Sequence, residues 1–162
     1  VMNIFYLAND PAAAARYHCD KHVVKMILES AQLLSTAHHV VDGSPSIECY
    51  KMTHKNHPSA VWARQNREQY YWLHSLLHEL CKEYTLRYGK VHKVQRSGLF
   101  QDLGYYPNEL RGGVFVDPPQ CMPDQYKVEN DAVQAYRNYY IGDKIEFAVW
   151  RHTATPDWWP YH

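Results

Sequence analysis

Residues 17–38 read Tyr-His-Cys-Asp-Lys-His-Val-Val-Lys-Met-Ile-Leu-Glu-Ser-Ala-Gln-Leu-Leu-Ser-Thr-Ala-His, and their apolar positions recur with the spacing of one helix. At about 100° per residue, His18, Lys21, His22, Lys25, Glu29, Gln32 and Thr36 fall on one face. Val23, Val24, Ile27, Ala31 and Leu34 fall opposite and form the expected core side. Imidazoles, amines and a carboxylate on one line are more proton-handling chemistry than a solvated face requires. An active site is expected along this stripe.

Punctuation residues extend the pattern. Asn9-Asp10-Pro11 predicts a helix start with Asp10 as N-cap and Pro11 in the first turn, and the helix is expected to run to about Val41, where Asp42-Gly43-Ser44-Pro45 stops it. After a polar linker, Pro58 opens a second long helix that continues to Tyr88 and closes on Gly89. On it Trp62, Leu73, Leu76, Leu77, Leu80 and Tyr84 share one face, with Arg64, Arg67, Tyr71, His78 and Lys82 on the other. From Lys90 to Pro123 periodicity dissolves around Gly112-Gly113 and Pro107, Pro118, Pro119 and Pro123, which predicts a long irregular proline-rich loop. A third helix is expected from Asn130 to about Trp150, and the aromatic tail Thr155-Pro-Asp-Trp-Trp-Pro-Tyr is expected to pack back on the helices. At 162 residues, the expectation is an all-α single domain, 1–162, of three long helices.

Composition narrows the function classes. Formal net charge is zero, 17 basic residues against 17 acidic, whereas a nucleic-acid binder is more often basic overall; only the local distribution can decide. Cys19, Cys49, Cys81 and Cys121 form no C-x-x-C pair and read as free thiols of a reducing cytoplasm. There is no apolar run of membrane-spanning length, and Met2-Asn-Ile-Phe-Tyr-Leu lacks the basic flank and cleavage site of a secretory signal, so no membrane partner and a cytoplasmic location are expected. Serine-nucleophile, P-loop and dinucleotide motifs are missing.

Each constellation has a functional and a plain reading. Glu29 can serve as general acid or base where it is desolvated, or form a surface pair with Lys25. His18 and His22 have the i,i+4 spacing that can hold a metal, yet H-E-x-x-H is absent and Asp20 points away, so no metal or other cofactor is expected. His38 reads as a hydrogen-bonded core histidine and His39 as solvated. Thr53-His-Lys-Asn-His-Pro58 leads into a helix start, where His54, Lys55 and His57 would reinforce a docked phosphate; equally, Asn56 or His57 caps the first turn. Arg64, Arg67, Lys82, Arg87, Lys90, His92, Lys93 and Arg96, interleaved with Tyr70, Tyr71 and Tyr88, form a broken basic trail that suits a nucleic-acid backbone or simply a solvated face.

The segment Asp20-Lys-His-Val-Val-Lys-Met-Ile-Leu-Glu29 resembles the first helix of the pyrimidine-dimer DNA glycosylases of the bacteriophage endonuclease V type, in which a histidine is followed seven residues later by the catalytic glutamate. His57-Pro-Ser-Ala-Val-Trp62 resembles the H-P-x-x-x-W opening of the second helix in broader relatives. Ala135-Tyr-Arg-Asn-Tyr-Tyr and Pro156-Asp-Trp-Trp resemble the last helix and its aromatic tail. The resemblance places His22 and Glu29 on the family's histidine and glutamate. It implies a helical, endonuclease V-like fold, a DNA partner met through its phosphates and a flipped base, and a bacteriophage setting with action in the host cytoplasm. It also implies glycosylase chemistry with β-elimination, in which an amine attacks the sugar C1′ and forms an imine. In the family that amine is the α-amine exposed by removal of the initiator methionine. Here Asn3 follows Met2, so Lys21 or Lys25 is expected to supply the amine, or water to replace it. Leu28 stands where the family carries arginine, and Lys25 can replace that charge.

The expected catalytic set is therefore Glu29, His22, Lys25 and Lys21. His18, Gln32, His54, Lys55, His57, Arg64, Lys90 and His92 are expected to bind substrate. A monomer is the favoured assembly. Two other readings stay open at this point: a nucleotide- or modified-base-processing enzyme on the same scaffold, and a non-catalytic protein that binds nucleic acid or a host factor.

Overall fold

In the computed structural model, which describes residues 3–161, Pro11 opens a short helix, α1 (Pro11–Tyr17), with Asp10 accepting a hydrogen bond from the Ala13 N–H. The long helix α2 (Asp20–Asp42) follows after a break at His18–Cys19 and stops at Gly43, whose φ of 74° is open to glycine without strain. Next come α3 (Pro58–Ala63), the second long helix α4 (Arg67–Tyr88), the one-turn helices α5 (Lys93–Arg96) and α6 (Leu99–Asp102), and a 3₁₀ turn at Asp124–Tyr126. The last helix is α7 (Ala132–Asp143). Among the described residues the regular structure is entirely helical, seven α-helices where three were expected.

The extra helices have local physical causes. The first expected helix breaks because His18 adopts an extended backbone (ψ 131°), and the groups freed there find distant partners. The buried Arg87 guanidinium donates to the carbonyls of His18 (2.7 Å) and Arg16 (3.0 Å), and the Asp20 N–H donates to the Val149 carbonyl (2.8 Å). Arg87 also pairs with Asp20 and Glu83, and Arg151 closes on Asp20 from outside. The second expected helix breaks at Arg64–Asn66, where the Asn66 side chain accepts from the Gln69 N–H and starts α4 afresh. The third helix stops at Asp143 rather than near Trp150, and the chain then turns so that Phe147 comes against His22. The stretch from Lys90 to Pro123, read from sequence as one irregular loop, carries α5 and α6.

Helices α2 and α4 pack antiparallel. The start of α2 meets the end of α4 through Asp20 and Arg87, and the end of α2 meets the start of α4 through His38 and Tyr70 (2.9 Å). Leu33, Leu34, Leu73, Leu76, Leu77 and Leu80 fill the space between, all essentially without exposure. The run Ile4–Leu7 is also fully enclosed, and with Tyr136 and Tyr140 of α7 it covers the other flank of α2. Burial on two flanks explains why the polar stripe is buried at His18, His22, Glu29 and Thr36, while the apolar Val24 and Leu28 are exposed. Val24 was expected in the core; the two covered flanks leave solvent the sector that carries it.

Candidate active site

The N-terminal run, α2, the loop before the 3₁₀ turn and the end of α7 meet around a pocket of about 260 Å³. Its walls are Asn3 and Phe5, His22 and Lys25, Cys121, and Tyr139 and Lys144. Three larger cavities, two of about 480 and 460 Å³ around Asp117 and one of about 320 Å³ beside Tyr71, carry no lysine, arginine or histidine, so volume alone does not choose the site. Tyr136 holds the walls together: its hydroxyl donates to the Pro119 carbonyl (2.6 Å) and accepts from the Cys121 N–H, while the Asn3 amide donates to the Cys121 carbonyl (3.1 Å).

His22 is the enclosed member of the wall. Its ring lies on Phe5 (4.4 Å between centroids) and its Nδ1 is 2.6 Å from the Tyr140 hydroxyl. Burial, the neighbouring His18, and then Lys144, Lys25 and Lys21 push its pKa down to about 2, so the imidazole is neutral at ordinary pH. The Lys144 ammonium lies 4.5 Å above the Tyr139 ring. Lys21 sits outside the pocket over Phe147, also at 4.5 Å.

Glu29 lies one helical turn beyond Lys25, and its carboxylate is 3.7 Å from the Lys25 ammonium. The residue is 7% exposed, and among the described residues neither carboxylate oxygen accepts a hydrogen bond. Burial raises its pKa, with Lys25 the leading influence in the opposite direction and His54 a smaller one. The carboxylate stands behind Lys25 rather than on the pocket wall. What the arrangement offers is an amine at the pocket, a poorly solvated carboxylate to exchange a proton with it, and a neutral imidazole beside it.

The other expected site residues divide. Gln32 is half-buried one turn past Glu29, and His54 is exposed on the same flank, because Thr36 Oγ1 anchors the Thr53 backbone to α2 (3.1 and 3.2 Å). Lys55 is exposed next to it. His57 is the N-cap of α3, its Nδ1 accepting from the Ser59 N–H at 3.0 Å, which realises the capping alternative. His18 is wholly enclosed, its Nδ1–H donating to the Ala14 carbonyl, and it does not line the pocket. Arg64 precedes α4 and Lys90 follows it, so the 22 residues between hold them about 33 Å apart. His92 caps α5. Arg87 and Tyr70 of the basic trail are buried, which divides it. His38 is the hydrogen-bonded core histidine expected, whereas His39 is half-buried and bonded to the Tyr50 carbonyl. Among the described residues no cluster of three His, Cys, Asp or Glu side chains is placed to hold a metal. The N-terminal amine lies outside the described residues. Asn3, Phe5, Cys121, Tyr139 and Lys144 were missed from sequence; the tyrosine stripe of the last helix was the one local signal toward them.

Amines, a neutral imidazole and a shielded carboxylate are thus brought together at one pocket of a helical fold. The chain belongs to the pyrimidine dimer DNA glycosylase family, whose model matches residues 2–96. The match takes in His22, Lys25 and Glu29 and ends before Cys121, Tyr139, Tyr140 and Lys144. Comparison with curated proteins and with solved structures finds no match. No helix among the described residues is long and apolar enough to cross a membrane.

Proposed function

We propose that this chain is a DNA glycosylase with an associated AP lyase step, acting on a damaged or modified base through Lys25, Glu29 and His22. Membership of the family supports a DNA substrate. One observation carries the residue assignment: at the position that the resemblance places on the family's glutamate stands a carboxylate shielded from water, raised in pKa and paired with the amine of a pocket lysine. Lys25 and Lys144 on its wall, with Lys21 just outside, also make the pocket locally positive in a chain of zero net charge.

In this reading the target nucleotide leaves the stack and its sugar enters the pocket, whose volume suits one sugar or base rather than a dinucleotide. Glu29 takes a proton from the Lys25 ammonium. The freed amine attacks C1′; the C1′–N bond to the base breaks as the C1′–N bond to lysine forms, and the base leaves with the proton that Glu29 had taken, which restores the carboxylate. One proton of the lysine nitrogen, now positively charged, passes to O4′ as the C1′–O4′ bond opens, which gives the protonated imine. Loss of a C2′ proton to the carboxylate then expels the 3′ phosphate. A distance of 3.7 Å between amine and carboxylate is long for proton transfer, and such contacts tighten when substrate binds.

The test is borohydride trapping on duplexes carrying an abasic site, uracil or a thymine dimer, followed by mapping of the adduct. A covalent adduct on Lys25 and its loss in Glu29→Gln are expected. Adduct on another amine moves the nucleophile away from Lys25. No adduct and no cleavage across the panel, with DNA still bound, leaves a binding protein.

A further inference from the structure

The Tyr140 hydroxyl sits where its single proton can be assigned. It lies 3.3 Å from the Cys19 N–H, 2.6 Å from His22 Nδ1 and 3.8 Å from Cys19 Sγ. The Cys19 amide can only donate, so it occupies a lone pair of the phenol oxygen. With its proton on Nδ1 the phenol makes the 2.6 Å bond; the opposite arrangement, an Nδ1–H donating to the phenol, would leave the phenol proton only the weakly accepting Cys19 sulfur at 3.8 Å, so the first is favoured. A neutral imidazole that accepts at Nδ1 carries its own proton on Nε2. Among the described residues Nε2 has no hydrogen-bond partner, and His22 lines the pocket. Phe5 lies against one face of the ring, and Phe147 and Tyr140 meet it edgewise at 5.6 and 5.2 Å, which holds its plane with Nδ1 toward Tyr140.

We infer that Tyr140 is a positioning residue that fixes His22 in the Nε2–H tautomer, so that a neutral donor is presented to a substrate oxygen between Lys25 and Lys144. Tyr140 lies beyond the residues that the family model covers. A neutral donor has a use that a third cation lacks. It fixes the orientation of a sugar or phosphate oxygen without competing for the Glu29 carboxylate, which has to stay available to Lys25. The amide of Cys19 acquires a purpose as well, because it keeps the phenol from turning its proton away from Nδ1.

The kinetic role rests on the glycosylase reading, whereas the tautomer does not, and the experiment separates them. In DNA-free protein labelled with ¹⁵N-histidine, His22 is expected to show an unprotonated Nδ1 and a protonated Nε2. A proton on Nδ1 in the wild type overturns the inference outright, whatever the enzyme does. Tyr140→Phe keeps the buried ring and removes the hydroxyl; it is expected to mix the tautomers and lower kcat about 10–100-fold with KM little changed, the usual range for losing the partner that orients a functional imidazole. His22→Gln keeps a donor close to the Nε2 position without needing Tyr140, so adding Tyr140→Phe to it should cost nothing further. A purely structural tyrosine would give additive losses instead, and that result, or full turnover in a Tyr140→Phe enzyme with mixed tautomers, also overturns the role. Glu29→Gln with undiminished turnover would remove Glu29 from the mechanism, and a wild type without turnover would sink the enzymatic reading; either leaves the spectral result standing.

Discussion

Replacing Glu29 by Met should make the protein more stable and inactive at once. The side chain is 9% exposed and its oxygens accept no hydrogen bond among the described residues, and a buried polar group in that condition costs about 1–3 kcal/mol. The compensation from Lys25 is small, because its side chain is 54% exposed and an i,i+4 pair of this kind is worth about 0.3–0.5 kcal/mol. Methionine has similar length, suits a helix and leaves nothing unpaired, so the net gain is about 0.5–2.5 kcal/mol. For a chain of this size that is a rise in Tm of about 1–10 °C. The pH dependence fixes the cause. Burial raises the Glu29 pKa above the ordinary carboxylate value, so between the two the folded form keeps a proton that the unfolded form has lost. The penalty is therefore absent below the unfolded value and grows as pH rises through the folded one. Scanning calorimetry of both proteins from pH 4 to pH 8 should show a Tm difference that opens with rising pH. A Met variant no more stable at pH 8, or a difference that ignores pH, refutes an uncompensated buried carboxylate.

Arg87→Met strips the buried donor from Asp20, Glu83 and the carbonyls of Arg16 and His18; the cost should be about 3–5 kcal/mol, a fall in Tm of about 6–20 °C, and a loss under 1 kcal/mol in urea titration would refute the clamp. Burial lowers the pKa of His18 to about 4 and of His22 to about 2, so their contribution is fully present above pH 6.5 and is lost as pH falls through that value. Each adds about 1.36 kcal/mol per pH unit of stability loss between pH 6 and 4; His22→Gln should flatten the slope by that amount, and an unchanged slope contradicts a neutral His22. If Lys144 meets a DNA phosphate, Lys144→Ala should lower the slope of log affinity against log salt by about 1 in fluorescence anisotropy with an abasic-analogue duplex. An unaltered slope removes Lys144 from the backbone contact.

Asp10, Gly43, Pro58 and Gly89 were legible because a helix end is punctuated by residues adjacent in sequence. The break at His18–Cys19 was not, since it has no glycine or proline and its stranded backbone groups are satisfied by Arg87 and by Val149, far along the chain. Asn66 and Gln69 did carry a start signal for α4, a cap residue followed three positions later by glutamine, hidden behind the stronger proline at 58. Within the site, helical periodicity put His22, Lys25 and Glu29 in register, and the structure keeps them so. It misplaced His18 because the break removes that residue from α2. Phe5, Cys121 and Lys144 left no trace in any local pattern, because what joins them to α2 is tertiary packing alone.

The pocket draws its walls from residues 3–5, 22–25, 121 and 139–144, four stretches with long intervals of chain between them. No short piece of this polypeptide can pre-form such a cavity, and loop-closure entropy has to be overcome several times before it exists. Competence should consequently arrive late in refolding and disappear together with the main cooperative transition in denaturant, instead of fading earlier with a frayed edge.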